Sequence, residues 1–540
     1  MNPPLRLGTT GHPILFALDT RSWLDRLSRE AGRRVRLGDV PEEAMDAIAA
    51  TGCDAAWLIG VWRTGPAGRR IAQARPDVVQ AARAALPDFT LDDIVGSPFA
   101  VSAYEVAAEL GGEASLAVLR RRLAGRGIGL VLDFVPNHTA LDHPWVRRHP
   151  DWYVHADPAA EGNEPASWLR VRADGRLHRL EHGRDPYFPA WPDTLQLDYR
   201  VPDVRDAMTA TLRAIATRCD GVRADMAMLV LDDVFRATWG SRSAAGDGGP
   251  GRSAADAAGE FWWHAIRSVR DAYPGFLMIA EAYWGLEYRL QQLGFDYTYD
   301  KVLLDRLRSG DGPGVAAHLR ADPEYQRHSL RFLENQDEPR AACVFDADRY
   351  WAAALVVATA PGMLLLHDGQ LEGARVRVPV EARRRPVEAA DADVAALWHR
   401  VLGALGGPAF RRGVPMRLEP RPTGPGDTTS ESFVSWLWAS PEGSVQLAVA
   451  NLGGARGRCW LPIAVPALAG EAIVLEDLLG DARYERSGDE LLTQGLYLDL
   501  PAGGRHLFRV LGAGAPEGGV SAADPAPEAS RGRTVSPGIG

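Results

Sequence analysis

Residues 128–134 read IGLVLDF, a short apolar run with one acidic residue, Asp133, next to its end. In the segment before it, Leu116, Leu119 and Leu123 recur at the spacing of one helical face. A helix followed by a buried strand is the repeating unit of α/β proteins. This stretch therefore predicts one helix–strand repeat of an α/β fold.

The same alternation extends in both directions, over about residues 12–410. It predicts about eight strands, at Ile14–Leu18, Ala55–Trp62, Ile128–Phe134, Gly221–Asp225, Phe276–Ala280, Phe295–Tyr297, Leu330–Leu333 and Met363–Leu366. Eight strands that alternate with helices fit a (β/α)8 TIM barrel with insertions. A doubly wound open sheet has the same alternation, so the pattern alone leaves both folds open.

Two long segments depart from this pattern and define further domains. Within the barrel domain, residues 1–410, the segment 139–195 is rich in Trp, His, Pro and Asp and predicts a subdomain inserted after the third strand. Residues 411–511 alternate with period two, as in Val445, Leu447 and Val449, which predicts a C-terminal antiparallel β domain. Residues 512–540 are mostly Gly, Ala, Pro and Ser and predict a disordered tail. Residues 240–259 predict a flexible loop, which is either a lid or a disordered insertion.

Composition excludes several classes of protein. The chain has 60 basic and 70 acidic residues, a net charge of −10, which argues against a nucleic-acid partner. Its 4 cysteines are far apart, which argues against a zinc site or a disulfide framework. The longest apolar stretch, Trp351–Leu366, is interrupted by Pro361 and Gly362, and the N-terminus lacks the pattern of a secretory signal. We therefore expect a cytoplasmic protein without a membrane partner.

Acidic residues follow four of the predicted strands. Asp133, Asp225, Glu281 and Asp337 all lie at or just beyond the end of an apolar run. In a parallel barrel, the carboxyl ends of the strands meet at one rim, where active sites are built. We therefore expect these four side chains to converge, although an isolated acidic residue after a strand is more often a helix cap or a surface ion-pair member.

The surroundings of two of these acids predict different charge states. Arg223 and Asp225 are two residues apart on a strand and share a face, so the arginine favours an ionised carboxylate that can act as a nucleophile. Glu281 ends the apolar run FLMIA, where desolvation raises the pKa and favours a proton donor. One charged and one protonated carboxyl group about 5 Å apart are what retaining cleavage of a glycosidic bond requires.

Four segments resemble, in chain order, the four short motifs of the α-amylase family of glycoside hydrolases. They are VLDFVPNH (131–138), GVRAD (221–225), IAE (279–281) and FLENQD (332–337). The resemblance extends over most of residues 12–410 and includes a trailing β domain, as is usual in that family. It implies a retaining mechanism at α-glucosidic bonds.

The resemblance also implies roles for individual residues. Asp225 would be the nucleophile, Glu281 the general acid/base, and Asp337 the residue that binds the sugar hydroxyls and favours ring distortion. Arg223 would orient the nucleophile. The other implied site residues are Asp133 and His138, which would line the sugar site, and Asn137, which would hold the loop.

No cofactor or metal is predicted, although in some members the residue matching Asn137 binds a structural calcium. Two positions depart from the family pattern. Gln336 stands where a histidine is usual, and an amide can donate a hydrogen bond but cannot become cationic. Phe99 stands where a tyrosine usually stacks on the sugar, with Tyr104 as the next candidate for that contact.

Three further tryptophans are candidate sugar contacts. Trp191 lies in the aromatic segment HGRDPYFPAWPDTLQLD (182–198) and is our candidate for a wall of the sugar site, although packing of the insertion onto the barrel is also open. Trp436 and Trp438 in the β domain favour a place in its core over a starch-binding platform.

The resulting functional hypothesis is a hydrolase that acts on α-glucan or maltooligosaccharide-like substrates through a covalent glycosyl-aspartate. The alternatives are an α-glucosyl or maltosyl transferase of the same family, and a catalytically impaired sugar-binding or scaffold protein. The expected partner is therefore an α-glucoside; the sequence does not predict an oligomeric state.

Overall fold

The computed structural model describes residues 11–156, 167–240 and 259–512. Most of the predicted loop at 240–259 and nearly all of the predicted tail at 512–540 lie outside these residues. Within the described stretches, no helix is long and apolar enough to cross a membrane.

Eight parallel strands form a closed barrel in which the order around the barrel follows the order in the chain. The first and last strands pair directly, with Ile14 beside Leu364, which excludes the doubly wound open sheet. The predicted α/β fold, a TIM barrel with a C-terminal antiparallel β domain, is confirmed. The strands are β1 (Ile14–Asp19), β2 (Ala55–Ile59), β3 (Gly129–Phe134), β4 (Gly221–Ala224), β5 (Leu277–Ala280), β6 (Tyr297–Tyr299), β7 (Ser329–Arg331) and β8 (Met363–His367).

β6 and β7 differ from their predicted positions. β6 starts two residues later than the predicted run and β7 one residue earlier, and each has three residues. The prediction followed apolar residues, whereas β7 contains the charged residue Arg331. Its fully buried guanidinium lies 3.4 Å from the Asp300 carboxylate and donates to the Gln326 backbone oxygen, so polar partners compensate its burial.

Helices connect the strands and pack one apolar face on the barrel. Leu116, Leu119 and Leu123 are buried, as their spacing predicts. The helices are Thr20–Ala31, Glu42–Ala50, Pro66–Ala74, Pro76–Ala85, Gly112–Ala124, Trp145–Arg148, Pro202–Ala216, Asp232–Trp239, Phe261–Arg270, Glu287–Gln292, Lys301–Ser309, Gly312–His318, Pro323–Arg327, Ala341–Val344, Ala347–Thr359, Ala392–Leu405, Pro408–Arg412 and Gly488–Thr493.

Two excursions leave the barrel at its carboxyl rim. After β2, the strands Trp62–Thr64 and Val101–Val106 pair with each other, an excursion that the sequence pattern did not predict. After β3, Trp168–Ala173 and Arg176–Glu181 form a hairpin, and His138–Ala140 pairs with Thr194–Gln196 at the base of the insertion. Both excursions therefore start beside the strand ends that carry the acidic residues.

The C-terminal strands form an antiparallel sheet that packs on the barrel. The six-stranded sheet has the order β9-β10-β11-β16-β13-β14, and β12 pairs with β15. These strands are β9 (Val414–Arg417), β10 (Phe433–Ala439), β11 (Val445–Asn451), β12 (Gly457–Leu461), β13 (Ala472–Asp477), β14 (Arg483–Ser487), β15 (Leu496–Leu500) and β16 (Arg505–Gly512).

Successive side chains of β10 point to opposite faces of the sheet, and both faces are buried there. Leu437 belongs to the core of the β domain, whereas Trp436 and Trp438 belong to the core shared with the barrel. Trp438 Nε1 donates to the backbone oxygen of Thr359 at 2.8 Å, at the end of a barrel helix. Both tryptophans are buried, as predicted, and so neither forms an exposed sugar platform.

We expect Trp438→Ala to lower the free energy of unfolding by about 3–5 kcal/mol, because it leaves a cavity between sheet and barrel. Trp438 is 1% exposed, and its ring centroid lies 5.1 Å from that of Phe410. Denaturant unfolding measures the loss. Tyr497→Ala, at a position 43% exposed, is the control and should cost less than about 1 kcal/mol. Equal midpoints for the two variants would contradict this view of the interface.

Candidate active site

β4 and β5 place two acidic residues side by side at the rim. The strands are parallel neighbours with Ala224 beside Ala280, and Asp225 and Glu281 follow these residues directly. The Asp225 N–H donates to the Phe134 oxygen at 2.8 Å and the Glu281 N–H to the Ala224 oxygen at 3.0 Å, so both residues continue the ladder. Both side chains are buried, and the predicted convergence of these two acids is observed.

Arg223 joins the two carboxyl groups. Its Nη1 donates to Asp225 Oδ1 at 2.5 Å, and its Nη2 lies 2.8 Å from Glu281 Oε2. The sequence predicted the first contact and not the second. The rings of Trp57, Phe99 and Tyr299 lie 5.3, 5.2 and 5.6 Å from the guanidinium carbon. Carboxylates and ring faces thus offset the burial of this cation.

The two carboxyl groups compete for this one positive charge. Burial raises the pKa of both Asp225 and Glu281, and the charge of Arg223 opposes the rise in each. The Asp225 charge further raises the pKa of Glu281. Arg223 donates a hydrogen bond to Asp225, whereas its Nη2 lies near Glu281 without forming one, so the ionised form is favoured at Asp225 and the proton of the pair at Glu281. The arrangement favours an ionised Asp225 beside a protonated Glu281.

Two further groups fix the orientation of Glu281. Met226 has φ = 43°, a left-handed conformation that is strained for a non-glycine residue, and its N–H donates to Glu281 Oε2 at 2.7 Å. The Tyr283 hydroxyl donates to Glu281 Oε1 at 2.9 Å. Both donors favour the ionised form of Glu281 and lower its pKa, against the effect of burial.

Asp337 faces the open end of the barrel and is exposed, unlike Asp225 and Glu281. Desolvation by the surrounding protein atoms, together with the Glu281 charge, raises the pKa of Asp337 to about 6. The charges of Arg223 and Arg377 oppose that rise. The third predicted catalytic acid therefore shares an electrostatic environment with the first two.

Residues of the segment after β7 hold Asp337 in place. Gln336 Nε2 donates to Asp337 Oδ2 at 2.8 Å, and the N–H groups of Asp337 and Glu338 donate to Asn335 Oδ1 at 2.9 and 3.1 Å. Gln336 therefore contacts the acid that it precedes. Asn335 was not among the predicted site residues, although its even spacing from Asp337 on an extended chain was a usable signal.

Asp133 lies below the pocket floor rather than in its wall. It is fully buried; Trp57 Nε1 donates to its Oδ1 at 2.9 Å and the Gly60 N–H to its Oδ2 at 2.6 Å. Because it is fully buried, Asp133 does not line the sugar site in this structure as predicted. It orients Trp57, whose ring faces Arg223.

The other residues of the third-strand motif form the base of the inserted subdomain. His138 is buried with its ring centroid 5.2 Å from that of the half-buried Trp191, and burial lowers the pKa of His138 to about 4. Its ring is therefore neutral at neutral pH. Asn137 Nδ2 donates to Gln196 Oε1 at 3.1 Å, and Gln196 Nε2 donates to Asn137 Oδ1 at 2.9 Å. These bonds hold the loop.

The two aromatic candidates for sugar stacking have different positions. Phe99 is half-buried with its ring over the Arg223 guanidinium, next to the acids. The Tyr104 hydroxyl accepts from the Val135 N–H and donates to the Val135 oxygen, each at 3.0 Å. Tyr104 is thus engaged in holding the chain after β3, and Phe99 is the better placed ring.

Structural calcium does not fit the residues described around Asn137. The amide oxygen of Asn137, its only side-chain atom that could ligate calcium, accepts a hydrogen bond from Gln196 Nε2. No step of the chemistry is therefore assigned to a metal here.

Sequence reasoning missed several aromatic residues at the rim. Trp57 and Tyr299 stand on β2 and β6 with inward-facing rings, which period-two alternation along those strands could have indicated. Tyr187 and Trp284 are exposed, with ring centroids 5.0 Å apart, and join the insertion to the segment after β5. No sequence signal links these two residues, because only the closed barrel brings them together.

Comparisons with known proteins agree with this geometry. Residues 99–304 match the family model described as "Alpha amylase, catalytic domain". An alpha-glucosidase of Culex pipiens is 34% identical over 120 residues, 20% of this chain and 20% of the relative. An amino acid transporter heavy chain of Homo sapiens is 29% identical over 119 residues, 20% of this chain and 17% of the relative. This chain therefore spans about a fifth of the length of either relative.

Solved structures show the same fold over nearly the whole chain. An alpha-amylase from Lactobacillus plantarum has a TM-score of 0.62 and 22% identity, and the match covers 94% of this chain and 99% of that one. The family model covers the segments of three of the four motifs, and their acidic residues meet at one end of a closed barrel. Together these findings show that residues 99–304 resemble the alpha-amylase catalytic domain and that nearly the whole chain has the fold of solved alpha-amylases.

Proposed function

We propose that this protein is a retaining enzyme that cleaves α-glucosidic bonds in α-glucan or maltooligosaccharide-like substrates. One observation carries the proposal: a buried arginine, Arg223, contacts both Asp225 and Glu281 at the rim of the barrel. That contact supports one ionised and one protonated carboxyl group in a single site, which is the pairing that the reaction needs.

In the proposed first step, an Asp225 oxygen forms a bond to the anomeric carbon of the sugar. The bond from that carbon to the leaving oxygen breaks, and the Glu281 proton moves to that oxygen. In the second step, Glu281 takes a proton from water, and the water oxygen replaces Asp225 on the anomeric carbon. After the second step, Asp225 is again ionised and Glu281 is again protonated.

The shared guanidinium also supports retention of configuration. Retaining enzymes have carboxyl groups about 5 Å apart, whereas inverting enzymes have them about 6.5–9.5 Å apart to admit a water. Asp225 and Glu281 contact the two terminal nitrogens of the same guanidinium, which favours the closer spacing.

Other residues of the rim suit a sugar ligand. Asp337 and Gln336 offer hydrogen-bonding groups for hydroxyls, and Phe99 offers a half-exposed ring beside the acids. On the side of β5, Tyr187 is 69% exposed and Trp284 38% exposed, and these rings are suited to the leaving part of the substrate. A sugar there that intercepts the covalent intermediate would make the enzyme a transferase.

The noncatalytic alternative has specific support. One relative is named as a transporter heavy chain rather than as an enzyme, and Gln336 departs from the family pattern. The presence of Asp225, Glu281, Asp337 and Arg223 together favours catalysis.

We expect Asp225→Ala to lower the turnover of α-glucosyl fluoride by about 10³-fold or more, because it removes the nucleophile. Fluoride release measures the rate. Asp271→Ala, at an exposed carboxylate after the helix Phe261–Arg270, is the control and should keep the wild-type rate. Equal rates for wild type and Asp225→Ala would remove Asp225 from its role. If the folded wild type turns over no α-glucoside, the noncatalytic alternative holds.

We expect the first product released from a maltooligosaccharide to be the α-anomer, because two displacements at one carbon restore its configuration. Proton NMR within the first minutes, before mutarotation, distinguishes the anomers. A β-anomer would contradict the retaining mechanism, and transfer products without free reducing sugar would identify a transferase.

We expect Tyr283→Phe to move the alkaline limb of the pH profile of kcat/KM to higher pH. The Tyr283 hydroxyl stabilises ionised Glu281, so its removal raises the pKa of Glu281. The acid then stays protonated, and hence active, to higher pH. Tyr288→Phe, at an exposed residue, is the control. A shift to lower pH would contradict the assignment of Glu281 as the proton donor.

A further inference from the structure

A cavity opens at the rim on the side away from the two acids that β4 and β5 carry. Its floor includes Asp19 at the end of β1, Ile59 at the end of β2, and His367 at the end of β8. Gln336, which contacts Asp337, forms one side, and the segment 377–385 after β8 forms the other.

The barrel order fixes which part of the substrate this cavity faces. β4 and β5 lie opposite β8 and β1 in a closed ring of eight strands. In the proposed reaction, the leaving group departs on the side of Glu281, at the end of β5. The cavity therefore lies on the side of the bound sugar that is remote from the leaving group.

The residues that line this cavity are unusual for a neutral sugar site. Four arginines line it, and none of its lining residues is Trp, Tyr or Phe. Neutral sugars are bound by stacking on aromatic rings, as the exposed Tyr187 and Trp284 would do on the opposite side of the rim. Guanidinium forks match anionic oxygen groups instead. The four arginines are Arg21, Arg340, Arg377 and Arg385.

Most carboxylates at the cavity already have a cationic partner. His367 Nε2 lies 3.1 Å from Asp19 Oδ2, and Arg308 contacts Glu338. Behind the wall, the carboxylates of Glu334 and Asp368 lie 2.6 and 3.0 Å from their arginines, Arg340 and Arg385. The acidic residues at the cavity are therefore largely neutralised.

Two of the four arginines, Arg377 and Arg21, have a positive charge that no buried carboxylate in the described stretches neutralises. Arg377 is exposed and has no ion pair within 4.0 Å among the described residues. The carboxylate partner of Arg21 is the half-exposed Glu109, at 3.3 Å. Arg377 lines the same cavity as Gln336, which donates to Asp337, so this arginine lies beside the proposed sugar site. Its positive charge opposes the rise in the pKa of Asp337.

Two buried polar atoms at the same cavity also lack partners in the described part of the chain. Asn335 is 2% exposed and Gln336 4% exposed, and neither Asn335 Nδ2 nor Gln336 Oε1 forms a hydrogen bond with a described residue. Buried polar groups are nearly always hydrogen-bonded, so these two atoms are unusual; because they have almost no accessible surface, a change of rotamer is needed before they can contact a ligand. One is a donor and the other an acceptor, as a sugar hydroxyl requires.

The segment 377–385, which we call the arginine wall, is anchored to residues 93–95. The N–H of Val95 donates to the Glu381 oxygen at 2.8 Å, and Ile94 forms a bridge with Ala382. The Arg384 guanidinium lies 2.6 Å from the buried Asp93 carboxylate. These contacts fix residues 381–384, so this part of the wall loses little conformational entropy when a ligand binds.

We propose that this cavity binds an anionic group, a phosphate or a carboxylate, carried by the sugar at the end remote from the bond that is cleaved. Arg377 is the specificity-determining residue for that group. The inference rests on the proposed function and adds to it a charged substrate class.

Kinetics with three aryl substrates tests this inference. We compare kcat/KM for 4-nitrophenyl α-glucoside, its 6-phosphate and 4-nitrophenyl α-glucuronide. We expect the wild type to prefer one charged substrate over the neutral one by about tenfold or more, the effect of one charge-assisted hydrogen bond. Preference for the 6-phosphate identifies the group as a phosphate, and preference for the glucuronide identifies it as a carboxylate.

Variants of the arginine wall sharpen the test. Arg377→Leu should lower the charged-to-neutral ratio of kcat/KM by about tenfold, and Arg377→Lys should restore part of it because it keeps the charge without the fork. Arg375→Leu, at an exposed arginine of the same segment that does not line the cavity, is the matched control and should keep the ratio. The inference is overturned if the enzyme turns over the neutral substrate, prefers neither charged substrate, and loses the same fraction of activity on all three in Arg377→Leu. The proposed function would still stand.

Direct binding separates the two proposals if no substrate is turned over. In that case the proposed function fails, and calorimetry with glucose 6-phosphate, glucuronate and glucose tests the cavity by itself. Tighter binding of a charged sugar than of glucose, lost in Arg377→Leu and kept in Arg375→Leu, supports the anionic site. Equal binding of all three sugars, or charged binding unchanged in Arg377→Leu, overturns it.

Discussion

The Arg223 guanidinium, buried between Asp225 and Glu281, is the constraint on which the whole rim depends. A buried guanidinium that is shielded from water needs a negative charge beside it, so at least one of the two neighbouring carboxyl groups stays ionised. Two carboxylates beside one cation would leave an excess negative charge in a poorly hydrated site, so the second carboxyl group holds a proton. The asymmetry between nucleophile and acid therefore follows from there being one positive charge for two acids, and the hydrogen bond that Arg223 donates to Asp225 favours the ionised state there.

Much of this site could be predicted from the sequence because it depends on the direction of the backbone. A parallel barrel sends every strand end to the same rim, so Asp225 and Glu281 had to be neighbours once β4 and β5 were recognised. Contacts across the barrel could not be predicted in this way. Side-chain partners could not be predicted either: Asp133 follows the same rule of position, yet Trp57 and Gly60, on and directly after the neighbouring strand β2, donate to its two oxygens. Position at the rim thus predicts proximity to the site, whereas hydrogen-bond partners decide whether a residue faces it.

The closed barrel also divides the rim into two chemically different sides. The excursions after β3 and β5 bring exposed aromatic rings together at Tyr187 and Trp284. The segment after β8 instead presents arginines opposite them, fixed to residues 93–95 by backbone bonds and ion pairs. No local pattern in the sequence reveals this division, because the residues of the two sides are about 90 to 200 positions apart in the chain. It arises from the order of strands around the ring, which sets the loops after β8 and β5 on opposite sides.

The replacement of the usual histidine by Gln336 is best understood from this division. Gln336 donates a neutral hydrogen bond to Asp337, and it cannot supply a positive charge there. The structure supplies positive charge to Asp337 from Arg223 and Arg377 instead. An imidazole gains or loses its charge between about pH 5 and 8, whereas a guanidinium stays charged throughout. The departure from the family motif therefore does not leave Asp337 without a cation; it moves the charge from the segment after β7 to the loop after β8. The same loop then sets both the electrostatics of Asp337 and the character of the cavity beside it.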